Sequence, residues 1–172
     1  LAMRATPGGL VWNPADFSFG FGLGHGLFYP LYCGAAIYIH PERFDPSKAL
    51  QVVAENEITV FATVPTAYRM ILAHTSSEAR FDLSKLRVCM SSGETLPPET
   101  YRTWKERFNC NILDGIGVSE IQKFCSNLYE ETIKPGSAGK VFPGIVVELH
   151  DESGCPVPSG EMGRVADRKS TR

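Results

Sequence analysis

No charge of either sign dominates this chain, no cysteine pair sits at metal or redox spacing, and no apolar run is long enough for a bilayer. Each absence removes a class of function. The 172 residues carry 17 lysines and arginines against 19 aspartates and glutamates, a formal net charge of −2, without blocks of like charge. That disfavours a basic surface for nucleic acid and an electrostatic footprint on anionic lipid. The most apolar stretch, GLGHGLFYPLYCGAAIYI, is broken by glycines, a proline and a histidine, so it lacks the roughly 20 unbroken apolar residues of a bilayer helix. The opening LAMRATPGG has no apolar signal-peptide core. Five cysteines, at 33, 89, 110, 125 and 155, are odd in number and form no CxxC. A disulfide framework or zinc site is disfavoured, and a reducing cytoplasm is the expected compartment.

Several catalytic signatures are missing too. The glycine cluster GFGLGHG (20–26) fails the GxGxxG test, because the sixth position is His25 from Gly20 and Leu27 from Gly22. There is no GxxxxGK[ST], and Ser91 and Ser92 lie outside a GxSxG elbow. His25, His40, His74 and His150 show no metal spacing, so each reads as a surface or satisfied core histidine. Cys89, between apolar neighbours, reads as core.

What is present is ordinary globular composition, 43% hydrophobic and 21% charged, in an alternating pattern. A glycine-dotted helix is expected from about Leu23 to Cys33, and a strand over 35–40. FDPSKALQVVAENE predicts a helix with Asp45 as N-cap, Pro46 at its first position, and Ala49, Leu50, Val53 and Ala54 on one face. ITVFATV (58–64) is a buried strand leading into a helix at Pro65. LRVCMSS (86–92) is a third strand, PPETYRTWKERF (97–108) a helix, and CNILD (110–114) a fourth strand. Alternating strands and helices joined by short links predict an α/β fold of βαβ units with a mostly parallel sheet. After Pro135 the pattern changes to short runs split by Pro-Gly and by DESGCPVPSG, predicting an antiparallel β-hairpin with ESG at its tip.

Ligands of open parallel sheets bind at the carboxyl ends of strands. Three such loops stand out: VPTAYR, SSGETLPP and DGIGVSE. Gly93 lets backbone approach a flat ligand closely, or it simply turns the chain while Thr95 or Ser92 caps the next helix. Ser119 offers a donor for a phosphate oxygen and Glu120 a hard oxygen ligand for magnesium, or the segment is an ordinary turn.

Taken in order, DFSFGFGLGHGLFYPLYCGA, ITVFATVPTAYRMIL, LRVCMSSGETLP, DGIGVSE and KPGSAGKVFPGIVVELHDESGCPVPSGEMGRV resemble the adenylate-forming acyl-CoA synthetases over residues 10–166. The wording is most similar to benzoate- and aminobenzoate–CoA ligases, with medium-chain synthetases next. The resemblance implies ATP and Mg2+ as cofactors, a small carboxylic acid, aromatic and benzoate-like, as the substrate activated to an acyl-adenylate, and CoA as the acyl acceptor. It implies that residues 114–119 (Asp114, Gly115, Ile116, Gly117, Val118, Ser119) wrap the AMP and acyl-phosphate junction, with Ser119 in place of the usual threonine at the α-phosphate. By the same resemblance Glu120 helps bind magnesium, and Gly93, Glu94 and Thr95 lie along adenine. The acid pocket is expected between Gly20 and Phe21 on one side and Gly115, Ile116 and Gly117 on the other. Lys123 falls near a position where benzoate-type members often carry histidine; it either faces a polar ring substituent or, the reading adopted, is a solvated lysine on a helix.

The family's phosphate loop is expected upstream of residue 1. Its ribose-binding aspartate, hinge and lysine-bearing C-terminal domain are expected after residue 166. The expected organisation is an α/β part over 1–134, a β-rich part over 135–166, and a tail DRKSTR (167–172) that resembles translated sequencing adapter. Alternatives are a medium-chain or carrier-protein-loading adenylating enzyme and, in another class, a non-catalytic nucleotide-binding module. No nucleic-acid or membrane partner is expected.

Overall fold

The computed structural model describes residues 4–76, 79–120, 122–127 and 133–166. The proposed adapter tail lies outside them. The strands are β1 (Leu10–Trp12), β2 (Ala36–Tyr38), β3 (Val60–Thr63), β4 (Val88–Ser91), β5 (Ile112–Val118), β6 (Gln122–Ser126), β7 (Lys140–Val141), β8 (Glu148–His150) and β9 (Arg164–Ala166). One sheet runs in the order β2-β1-β3-β4-β5-β6-β7, and β8 and β9 pair separately. Every pairing from β2 across to β5 is parallel, whereas β5 and β6 are antiparallel. The chain divides into two compact units, residues 1–140 and 141–172.

The first unit is the expected α/β sheet, and its strands are buried on both faces. Phe61, Cys89 and Ile112 point to one side, under α3 (Ala49–Glu55), α4 (Pro65–His74) and α5 (Pro98–Phe108). Val60, Ala62, Val88, Met90 and Leu113 point to the other, with Phe21 and Tyr29 packed against them. Such period-two alternation between two apolar layers is what makes a central parallel strand uniformly hydrophobic. Rings lock α4 and α5 to the sheet: Phe61, Tyr68, Trp104 and Phe108 follow one another at centroid distances of 5.7, 4.7 and 4.7 Å. The Tyr68 hydroxyl donates to the Met90 carbonyl at 2.8 Å, so the aromatic column costs no unpaired phenol. Cys89 is fully buried, as read from its neighbours.

Four local expectations change. The three-residue β1 was too short to stand out beside the prolines and glycines around it. Asp45 does not cap a helix. It accepts from Ser47 N and Oγ at 2.9 and 2.6 Å, closing a turn, and α3 begins at Ala49. Neither Thr95 nor Ser92 caps α5, whose N-cap is Pro97. Finally, DGIGV is no loop: β5 continues through Val118, the chain turns at Ser119 and Glu120, and it returns as β6 from Gln122. Lys123 is therefore on a strand, not a helix, and only 6% exposed.

Residues 20–32 form one helical segment, with α turns α1 (Gly20–Leu23) and α2 (Tyr29–Tyr32) flanking a π turn at Gly24–Phe28. Its glycines make room for protein. A Cβ on Gly24 would lie 2.2 Å from Gln122 Oε1.

In the second unit β8 and β9 pair antiparallel. The expected ESG tip is a tight turn in which Asp151 Oδ1 accepts from Ser153 N and Cys155 N, both at 2.9 Å.

Candidate active site

Because β3, β4 and β5 are parallel neighbours, their carboxyl-end loops meet at one edge of the sheet. Thr66, just after β3, donates to Glu94 Oε2 at 2.7 Å and ties two of the loops together. Gly93 turns the second loop with φ +93°, a left-handed conformation that a side chain strongly disfavours. The turn puts bare backbone beside a cavity.

Two cavities open here and share Gly93 and Gly117. The first, about 370 Å3, is bounded by Gly93, Glu94, Thr95, the 114–117 segment, Gly136 and Ala138. The second, about 230 Å3, is bounded by Gly20, Phe21, His25, Val118, Ser119 and Lys123, among others. The residues assigned to adenine thus lie together on the first. Those assigned to the acid divide: Gly20, Phe21, Gly117 and Lys123 line the second cavity, whereas Gly115 and Ile116 face the first. Ser119 and Val118 border the second. Glu120 lines neither; it is exposed in the turn beside Ser119.

The β5–β6 hairpin is held in a narrow geometry. A Cβ at Gly117 would sit 2.2 Å from Gln122 O, closer than any side chain allows, and the register shifts between Ile116 and Gly117. Ser92 Oγ donates to Gly115 O at 2.9 Å, and Ser126 Oγ to Asp114 O at 3.0 Å. These bonds fix the backbone that separates the cavities.

Behind that backbone lies a buried polar cluster. Asp114, 6% exposed, accepts from Leu96 N at 3.4 Å through Oδ2, while Oδ1 has no partner. Burial raises its pKa. Lys123 Nζ donates to Ser91 O at 3.3 Å, and its stem passes so near Gly115 that a Cβ there would meet Cε at 2.9 Å. Burial lowers the ammonium pKa from 10.5 to about 8, against the opposing pull of Asp114. His25 is 4% exposed, with Nδ1 unpartnered. Its ring lies between Phe21 and Tyr29, at 4.7 and 5.1 Å. Burial, then the Lys123 charge, lowers its pKa to about 3, so it is neutral at physiological pH. His25, read from sequence as a surface or satisfied core histidine, is buried and borders the second cavity. Its spacing of four from Phe21 put both on one helix face, a signal that was available.

Among the described residues no group of three or more His, Cys, Asp or Glu side chains could hold a metal. Glu120 offers a single exposed carboxylate. That suits a magnesium ion whose remaining ligands are phosphate oxygens and water.

The fold belongs to a known class. Residues 2–170 match the family described as AMP-binding enzyme, and the chain belongs to that family. It is 35% identical over 158 residues to the mitochondrial acyl-coenzyme A synthetase ACSM3 of Rattus norvegicus, covering 91% of this chain and 27% of that protein. It is 36% identical over 151 residues to the benzoate–CoA ligase of Thauera aromatica, covering 87% and 28%. The crystal structure of the anthranilate CoA ligase AuaEII in complex with anthranoyl-AMP superposes with a TM-score of 0.86 at 36% identity, covering 96% of this chain and 32% of that one. The chain therefore spans just over a quarter of the length of these curated relatives. No helix among the described residues is long and apolar enough to cross a membrane.

Proposed function

We propose that this chain carries the acid- and AMP-binding part of an AMP-forming carboxylate–CoA ligase, acting on an aromatic acid. The observation that carries the reading is the pair of cavities meeting at Gly93 and Gly117. The first is walled by exposed loop backbone suited to a flat base, and the second by Phe21, suited to a ring. A mixed anhydride of an aromatic acid and AMP has that two-part shape, and such a molecule occupies the related anthranilate ligase.

In the reaction a carboxylate oxygen of the acid attacks the α-phosphorus of ATP, and the bond to pyrophosphate breaks with its electron pair. The sulfur of CoA then attacks the acyl carbon, its proton is lost to solvent or a base, and AMP departs. Ser119, at the end of β5, supplies a donor toward the α-phosphate, where charge builds in the transition state. Mg2+ held by Glu120 would neutralise the phosphates and polarise them for attack. Gly93, Glu94 and Thr95 lie along the base, and residues 114–118 wrap the junction. The five free cysteines accord with a cytoplasmic enzyme.

A medium-chain fatty acid is the second reading, favoured by the likeness to ACSM3. Lys123, which lines the second cavity, argues against it, because an alkyl chain would offer its ammonium no partner beyond Ser91 O. The test is ATP–pyrophosphate exchange by the full-length protein that contains this chain. An aromatic acid should drive exchange, and Glu120→Ala should lower it about 100-fold, the scale of losing one transition-state charge stabiliser. Exchange unchanged by Glu120→Ala would remove the metal role, and exchange with octanoate alone would overturn the aromatic pocket.

A further inference from the structure

The first cavity has a wall that the carboxyl-end loops do not provide. Gly136 and Ala138 line it, and both belong to a short strap, residues 134–139, that lies beyond β6 in the chain. The strap's own hydrogen bonds only curl it on itself: Ser137 N donates to Lys134 O at 2.9 Å, and Gly139 N to Ser137 Oγ at 3.2 Å. Its anchors come from β6 and the residue after it. Asn127, 4% exposed, donates through Nδ2 to Ser137 O at 2.8 Å. Cys125 Sγ donates to Ala138 O at 3.3 Å, but a thiol is a weak donor, so the amide is the stronger anchor. Gly139 packs so near Ser126 that no Cβ would fit between them. Asn127 is itself fixed, because its backbone N–H donates to Asp114 O on β5 at 2.9 Å. One residue thus ties the 114–117 wall of the cavity to the strap.

We infer that Asn127 is a positioning residue for the nucleotide: it holds the strap in place as a wall against which the base of ATP binds. The inference rests on the adenylation reading above and adds a residue that lines neither cavity. Without the amide, Ser137 O loses its donor, and a partly buried carbonyl left unpaired draws its segment toward water. The strap is able to follow, since Gly136 and Gly139 stand at φ +85° and +88° and glycine tolerates other conformations as readily. Gly136 and Ala138 would then withdraw from the cavity, and ATP would have to order them again on binding, at a cost in affinity. The second cavity shares no residue with the strap, so binding of the acid should not feel the change. That asymmetry separates positioning of the nucleotide from a general loosening of the fold.

The experiment is ATP–pyrophosphate exchange by the full-length protein, wild type and Asn127→Leu, with the best acid from a panel of benzoate, the aminobenzoates and octanoate. Leucine keeps the bulk of asparagine and removes the donor. KM for ATP should rise about tenfold, equivalent to about 1.4 kcal/mol, the scale of one net hydrogen bond. The KM for the acid and kcat should stay within about twofold, the pattern of lost uniform binding. An unchanged KM for ATP, or one that rises in step with the KM for the acid, would overturn the inference while leaving adenylation standing. Wild type decides where the variant fails to fold: AMP should slow hydrogen exchange at the Ser137 and Gly139 amides, whose bonds curl the strap. Exchange there indifferent to AMP would overturn the inference. No acid driving pyrophosphate exchange in wild type would overturn the adenylation reading and the inference with it.

Discussion

At the scale of single residues, the site is defined by side chains in surroundings that oppose their charge. Lys123 is the clearest. Asp114 from β5, His25 from the helical segment and Cys125 on its own strand are the titratable groups that act on it or respond to its charge, and burial outweighs the favourable ones. With a folded pKa near 8 against 10.5, the native state binds fewer protons than the unfolded state between those values. Stability attributable to Lys123 therefore rises as pH climbs from about 8 to 10.5, by about 3 kcal/mol in all, and is lost again as pH falls back. Urea midpoints of wild type and Lys123→Met across pH 7–10 check this: wild type should gain on the variant as pH rises. A constant difference would mean the ammonium is solvated. The burial of Lys123 was illegible in the sequence because QKFCS has one charged residue in a run of mixed polarity. Only pairing with a glycine-bearing strand turns that side chain inward.

At the scale of elements, most of the α/β frame was readable. α4 begins at Pro65 and α5 at Pro98, beside the prolines that marked those starts, because proline suits the first helical turn. β3 and β4 were recognisable as unbroken apolar runs, the mark of strands buried on both faces. The β5–β6 hairpin was not. Two glycines near a serine and a glutamate read as turn chemistry, whereas here the glycines serve close approach: Gly117 admits the Gln122 carbonyl, and Gly115 the Lys123 stem. Local propensity cannot distinguish a glycine that bends the chain from one that lets another strand come near. The hairpin should accordingly be intolerant of a methyl group. Gly117→Ala places a Cβ 2.2 Å from backbone, which a rotamer change cannot relieve. Overpacking of this kind costs about 1–3 kcal/mol, so thermal unfolding should shift down and exchange activity fall with it. An unshifted melting temperature would show that β5 and β6 lie further apart.

At the scale of the whole molecule, composition excluded more than it identified, and the order of five motif blocks did the rest. No one of them sufficed: the loop around Gly93 and the strand end at Ser119 each had an ordinary structural explanation. Their convergence on one sheet edge is a property of topology, in which β3, β4 and β5 lie side by side and parallel and so bring distant loops to a common crevice. The central claim is that this crevice joins a carboxylate to the α-phosphate of ATP. The most direct measurement gives the full-length protein an aromatic acid with both carboxylate oxygens labelled as ¹⁸O, together with ATP and CoA, and weighs the products. Attack by the carboxylate on the α-phosphorus, followed by loss of AMP to the thiol, predicts one ¹⁸O in AMP and one in the thioester. Label in phosphate or pyrophosphate with unlabelled AMP would contradict the account.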